Sequence, residues 1–166
     1  MSTRAYICMK TKSGDYRGIY SHWDGYLSGV GEILLKHYKD YDKVEKLINL
    51  GDISVLGQGL ETPKIVKKYG FDWAMNAEFN SLPTKEKVAL KANERIGTIA
   101  YSRDRKEEKN IARWSNLDEL YTSFDNSMIE FVYLFINNRW RYYDIAYSSK
   151  FKLLTTSAIK KELNDN

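Results

Sequence analysis

Two short stretches of this chain carry residue types that could do chemistry. The first is His22-Trp23-Asp24-Gly25-Tyr26, followed closely by Gly29 and Gly31. Glycines this dense imply tight backbone bends, and such backbone running into a helix can turn several N–H groups toward an anion. Trp23 or Tyr26 would then stack on a base, with His22 and Asp24 bonding to base or ribose. The same residues also read as a structural turn, in which Asp24 caps backbone N–H groups and Trp23 plugs the core. No Gly-Lys-Ser/Thr follows, so this is not a Walker loop.

The second stretch is Tyr101-Ser102-Arg103-Asp104-Arg105. Read as the continuation of a strand, it places Arg103 and Arg105 on one side and Asp104 opposite. Paired guanidiniums offer fork-shaped donors matched to phosphate or carboxylate. The competing reading is a solvated loop with Arg–Glu pairs to Glu107 and Glu108, worth ~0–1 kcal/mol each. A third cluster, Arg139-Trp140-Arg141-Tyr142-Tyr143, interleaves cations and rings as a nucleic-acid platform would. Alternation puts Trp140 and Tyr142 on one face, which reads more simply as a half-buried edge strand.

Catalytic and metal chemistry are poorly served. His22 and His37 fall on different elements, and no Gly-x-Ser-x-Gly or His-Glu-x-x-His motif is present. A metal site would require His22, Asp24, His37 and a further carboxylate to converge. Cys8, the one cysteine, lies in the apolar run Tyr6-Ile7-Cys8-Met9 and reads as a small buried hydrophobe. No residue is assigned a catalytic role, and nothing in the sequence calls for a cofactor or a metal.

The elements that must position these residues are legible in part. Tyr6–Thr11 and Tyr16–Tyr20 read as a hairpin around Lys12-Ser13-Gly14-Asp15. Ser28 is expected to cap a helix carrying Val30, Ile33, Leu34 and Tyr38. Asp40 or Asp42 caps a second helix, which Gly51 stops. Asp52–Gly57 is a short extended piece. Residues 58–94, with weak periodicity, read as an irregular insertion or lid with a helix near Lys85–Lys91. Arg95–Tyr101 reads as a strand and Ser102–Asn110 as a charged loop. Ser115 and Asp118 form a capping box for a short helix. Ile129–Ile136 and Arg139–Asp144 form a hairpin about Asn137-Asn138, and Thr156–Leu163 a terminal helix. The fold class expected is α+β, an antiparallel sheet of about five strands with helices packed on one face, in a single domain over residues 1–166.

Composition narrows the partner. Of the 166 residues, 43% are hydrophobic and 29% charged, which suits one globular domain. The net charge of +4 permits a phosphate-bearing partner but falls short of a dedicated nucleic-acid binder. No stretch approaches the ~18–20 apolar residues of a membrane helix, and the N-terminus lacks a signal-like apolar run, so a cytoplasmic location is expected.

The segment Tyr20-Ser21-His22-Trp23-Asp24-Gly25-Tyr26 resembles small phage and prophage proteins of low-GC Gram-positive hosts that carry a His-Trp-Asp-Gly-Tyr core. The resemblance continues through Gly29-Val30-Gly31, Leu34-Leu35, His37-Tyr38 and Leu50-Gly51-Asp52-Ile53-Ser54. It resumes at Ala100-Tyr101-Ser102-Arg103-Asp104-Arg105, and at Tyr133-Leu134-Phe135 with Trp140. It covers about half the chain and departs at Lys106, where such proteins carry a glycine. It implies no catalytic residue. What it implies is origin, an accessory phage protein acting against host defence in the host cytoplasm. The expectation is binding without turnover, most simply sequestration of a small anionic nucleotide signal by His22, Trp23, Asp24, Gly25, Tyr26, Tyr101, Arg103 and Arg105. A homo-oligomer would suit such a site, since pockets often form between protomers. Inhibition of a host defence nuclease such as a CRISPR effector is the second expectation, and hydrolysis of the signal the third.

Overall fold

The computed structural model describes residues 2–166. The sheet is built from β1 (Ala5–Lys10), β2 (Tyr16–Ser21), β3 (Ile53–Val55), β4 (Ile99–Ala100), β5 (Ala112–Trp114), β6 (Phe131–Ile136), β7 (Arg139–Asp144) and β8 (Lys152–Leu153). The helices are α1 (Glu32–His37), α2 (Tyr41–Ile48), α3 (Lys64–Tyr69), α4 (Ala77–Asn80), α5 (Thr84–Ala92), α6 (Tyr101–Arg105), α7 (Leu117–Thr122) and α8 (Thr156–Asp165).

The α+β class is confirmed, with more strands than expected. Among the described residues eight strands share one mixed sheet in the order β4-β3-β2-β1-β6-β7-β8, and β5 pairs with β2 beside that path. Two pairings are parallel, β1 with β6 and β2 with β3; the others are antiparallel. The parallel β1–β6 contact joins the two hairpins. Neither strand's own sequence records it, because the pairing forms between segments more than 100 residues apart.

Alternation along β1 divides the interior. Ala5, Ile7 and Met9 enter the main core with Leu34, Leu47 and Ile159 of α1, α2 and α8. Cys8 is buried on the opposite face with Val132, Leu134, Leu120 and Phe124. Helices were expected on one face only; α7, with Phe124 just beyond it, covers the other. A third cluster, Ile65, Val66, Tyr69 and Phe79 with Ile99, packs at the β3–β4 edge. Residues 58–94 are therefore far more helical than their periodicity implies, carrying α3, α4 and α5. α3 and α4 are short, of six and four residues, and their few apolar residues converge only in space.

Capping accounts for the better-read boundaries. Asp40 accepts the Lys43 N–H at 2.9 Å to open α2, and Gly51 at φ 75° follows its end. Asn137 and Asn138 at φ 53° and 57° make the left-handed turn between β6 and β7. The cap of α7 lies one residue from the expected Ser115: Asn116 accepts the Glu119 N–H, while the Glu119 carboxylate accepts the Ser115 N–H. Among the described residues no helix is long and apolar enough to cross a membrane.

Candidate functional site

The strand β2 runs past its last paired residue into the His22–Tyr26 loop. The His22 and Trp23 N–H groups donate to the Ile53 and Ser54 carbonyls at 3.2 and 3.1 Å, holding the loop against β3. The His22 Nδ1 lies 2.7 Å from the Tyr20 hydroxyl, and its ring meets Trp23 edge-on at 4.8 Å. Burial, then the nearby Arg4 charge, holds His22 below the ordinary histidine value, which favours the neutral imidazole. Trp23 does not plug the core; it is 43% exposed.

Asp24 adopts φ 57°, its carboxylate pairs with Arg95, and it accepts the Tyr26 hydroxyl at 3.1 Å. Gly25 is structural. Its N–H donates to the Thr3 carbonyl at 2.8 Å, and its own carbonyl accepts the buried Tyr133 hydroxyl at 2.7 Å. A Cβ on Gly25 would stand 2.8 Å from the Thr3 oxygen. Of these five residues, the rings of Trp23 and Tyr26 are the parts offered to solvent.

The second stretch is a helical turn, not the expected strand. Consecutive α-helical side chains diverge by 100°, so Arg103 and Arg105 lie about 200° apart instead of side by side. Arg103 turns inward and donates to the Leu60 and Thr98 carbonyls, each at 2.6 Å, and to Asp104 at 2.9 Å. It is a brace between α6 and the chain entering the 58–94 excursion. Asp104 also accepts the Ala100 N–H and the Thr62 hydroxyl, at 2.8 and 2.7 Å. Burial alone would raise this carboxyl, but Arg103 and those donors outweigh it and hold Asp104 below the usual carboxylate range.

Arg105 points outward. Its guanidinium lies over the Phe71 and Tyr101 rings at 4.5 and 5.0 Å and pairs with Glu107 at 2.8 Å. The helix ends at Lys106 in the left-handed conformation, φ 55°. A lysine thus holds a bend that glycine would adopt without strain.

The two stretches flank β3. Ile53 enters the main core, so Ser54 faces the other side, where Tyr101, Tyr20 and Tyr6 also lie. Tyr6 and Tyr20 meet at 6.3 Å, and Tyr20 and His22 at 5.8 Å. The result is a half-buried aromatic row on the sheet, ending in exposed Trp23. Sequence reading missed Tyr6 and Tyr20, although their period-two spacing with Cys8 and His22 carried the signal.

The glycine-rich backbone after Tyr26 does bind an anion, but one supplied by the chain itself. Leu27–Gly31 forms a π-type turn leading into α1, with no side-chain cap from Ser28. Glu162 of α8 accepts the Leu27 and Ser28 N–H groups, each at 2.9 Å, and the Ser28 hydroxyl at 3.0 Å. A phosphate at that backbone would meet a carboxylate. The adjoining cavity, about 870 Å³, is lined by Tyr26, Phe131 and Tyr142 together with Glu130, Asp144 and Glu162. Lys152 and Lys161 line it too. Burial first, then the charges of Asp144 and Glu162, raises the Tyr142 hydroxyl above the ordinary tyrosine value.

In the third cluster Trp140 is buried against Phe135, and its indole N–H donates to the Tyr38 carbonyl at 2.7 Å. Arg139 and Arg141 are exposed on the alternate positions. β7 is not the edge expected, because β8 pairs outside it. Among the described residues no three His, Cys, Asp or Glu side chains group as metal ligands.

Comparison of the chain with family models finds no match, and neither curated proteins nor solved structures show a similar chain.

Proposed function

We propose that the protein acts by binding, without turnover, and that its partner is a protein of a host defence system such as a nuclease. The phage origin in this reading rests on the resemblance carried by His22–Tyr26 and Ala100–Arg105. The observation that carries the choice of partner is the contrast between exposed rings and committed cations. Trp23 and Tyr26 are open to solvent, while Arg103 of the same region is held by the Asp104 carboxylate and by backbone carbonyls. Large aromatic anchors with polar neighbours already satisfied suit a protein interface, whereas phosphate capture needs free fork-shaped donors.

Sequestration of a nucleotide signal is the second reading, favoured by Arg105. Its pair with Glu107 is exposed on both sides, so a phosphate competes with a weak partner, and the Tyr101 and Phe71 rings lie directly beneath.

One pair of measurements separates them. Trp23→Ala should leave thermal stability within ~0.5 kcal/mol yet weaken capture of a host defence protein by more than ~2 kcal/mol. A panel of mono-, di- and cyclic nucleotides should leave the melting temperature unmoved. A melting shift of several degrees with one nucleotide, lost in Arg105→Ala, would instead establish sequestration.

A further inference from the structure

The sheet has a second open surface, at the end opposite the Trp23 loop. β1 and β6 run parallel and β2 antiparallel to them, so the loop after β2 lies at the beginning of β6, while the β6–β7 turn lies at the far end. There the C-terminal end of α1, the hairpin turn and β8 enclose a groove of about 350 Å³. Its floor and walls are apolar: Leu35, Tyr38, Phe135, Trp140, Leu153 and Leu154.

Two features distinguish the groove from a shallow core defect. Leu153 is 40% exposed although it belongs to a strand, leaving an aliphatic side chain beside the opening. The charged residues lining the groove, Lys39 and Arg139, are both exposed cations. Among the described residues neither takes part in a salt bridge. Asp40, next to Lys39, turns its carboxylate to the N-terminus of α2, where it accepts the Lys43 N–H at 2.9 Å. The floor itself is firm, since the Trp140 indole is tied to the Tyr38 carbonyl and the Tyr38 hydroxyl to the Gly57 carbonyl at 2.8 Å.

We infer that this groove docks an acidic segment of a partner protein, one large apolar side chain entering between Trp140 and Leu153 and flanking carboxylates meeting Lys39 and Arg139. An apolar anchor in a preformed pocket supplies the affinity, and a rim of one charge sign supplies the selectivity. The inference goes beyond the Trp23 surface and is independent of it.

The test uses the full-length protein labelled with 15N, two capped peptides, and the indole N–H signal of Trp140, assigned with Trp140→Phe. One peptide carries a Phe flanked on both sides by paired Glu; the other carries the same Phe flanked by paired Lys. The Glu peptide should shift the Trp140 indole and the Leu35, Leu153 and Leu154 amides in a saturable way, and the Lys peptide should not. Lys39→Glu with Arg139→Glu should weaken the Glu peptide by about tenfold or more and admit the Lys peptide. Leu153→Asp, at a position already exposed, should abolish binding of the Glu peptide without unfolding the chain. Equal shifts with both peptides, or none at peptide concentrations near the millimolar range, would overturn the proposal. So would broadening of these signals by anionic phospholipid vesicles alone, which would assign the groove to a lipid surface.

Discussion

Glu162 clasps Ser28 through two hydrogen bonds, from the N–H at 2.9 Å and from the hydroxyl at 3.0 Å, across 134 residues of chain. The contact joins the last helix to the glycine-rich turn that follows the exposed aromatic loop. It replaces the side-chain cap that the turn lacks, and it fills the one backbone position best suited to an external anion.

Replacing Glu162 by Gln should therefore destabilise the protein by about 2 kcal/mol, because a charge-assisted acceptor is lost and an amide donor faces the N–H groups. For a chain of this length the melting temperature should fall by roughly 4–8 °C. Amide exchange at Leu27 and Ser28 should accelerate more than exchange in β1. Uniform acceleration would mean that the clasp contributes nothing local.

Gly29 is required by a close approach rather than by its dihedral angles. A Cβ there would overlap the Asp24 carbonyl oxygen, which accepts the Val30 N–H at 2.8 Å. Gly29→Ala should cost about 1–3 kcal/mol, the range of overpacked sites, and should displace Asp24 from Arg95. Denaturant melts measure the first effect. A change in the Trp23 and His22 ring signals measures the second.

Asp104 should make stability depend on pH in one direction. Its carboxyl titrates below the ordinary carboxylate value in the folded protein, so the stabilisation is complete above the unfolded value of about 3.9 and is lost as pH falls through the folded one. At neutral pH Asp104→Asn should cost about 2 kcal/mol, since the side chain is 3% exposed and anchors Arg103. The gap between variant and wild type should close in acid. A gap that stays constant with pH would show that shape, not charge, is what Asp104 contributes.

Lys106 holds a left-handed conformation that costs an L residue about 1–2 kcal/mol. Glycine at this position gives back part of that gain in chain entropy. Lys106→Gly should therefore stabilise the protein by up to about 1 kcal/mol, readable as a small rise in melting temperature. A loss of stability would show that the lysine side chain makes a compensating contact.

The chain's local signals determined its local structure. The β6–β7 turn follows from two asparagines that tolerate positive φ. The α2 boundaries follow from Asp40 and Gly51. Each of these is set by residues a few positions apart, whose preferences do not wait for the fold. The His22–Tyr26 loop and its neighbour Tyr101 were likewise visible as unusual residues.

What they do there was decided by tertiary contacts. Alternation assigned Arg103 to a ligand, yet the chain turns helical at Tyr101 and commits that guanidinium to the Leu60 and Thr98 carbonyls. The glycine-rich turn suited a phosphate, yet α8 brings Glu162 to it from the other end of the chain. The parallel β1–β6 pairing, the helices of residues 58–94 and the Trp140 groove share the same cause. Each depends on apolar or charged partners far apart in sequence, whose meeting is favoured only once the intervening chain has folded between them.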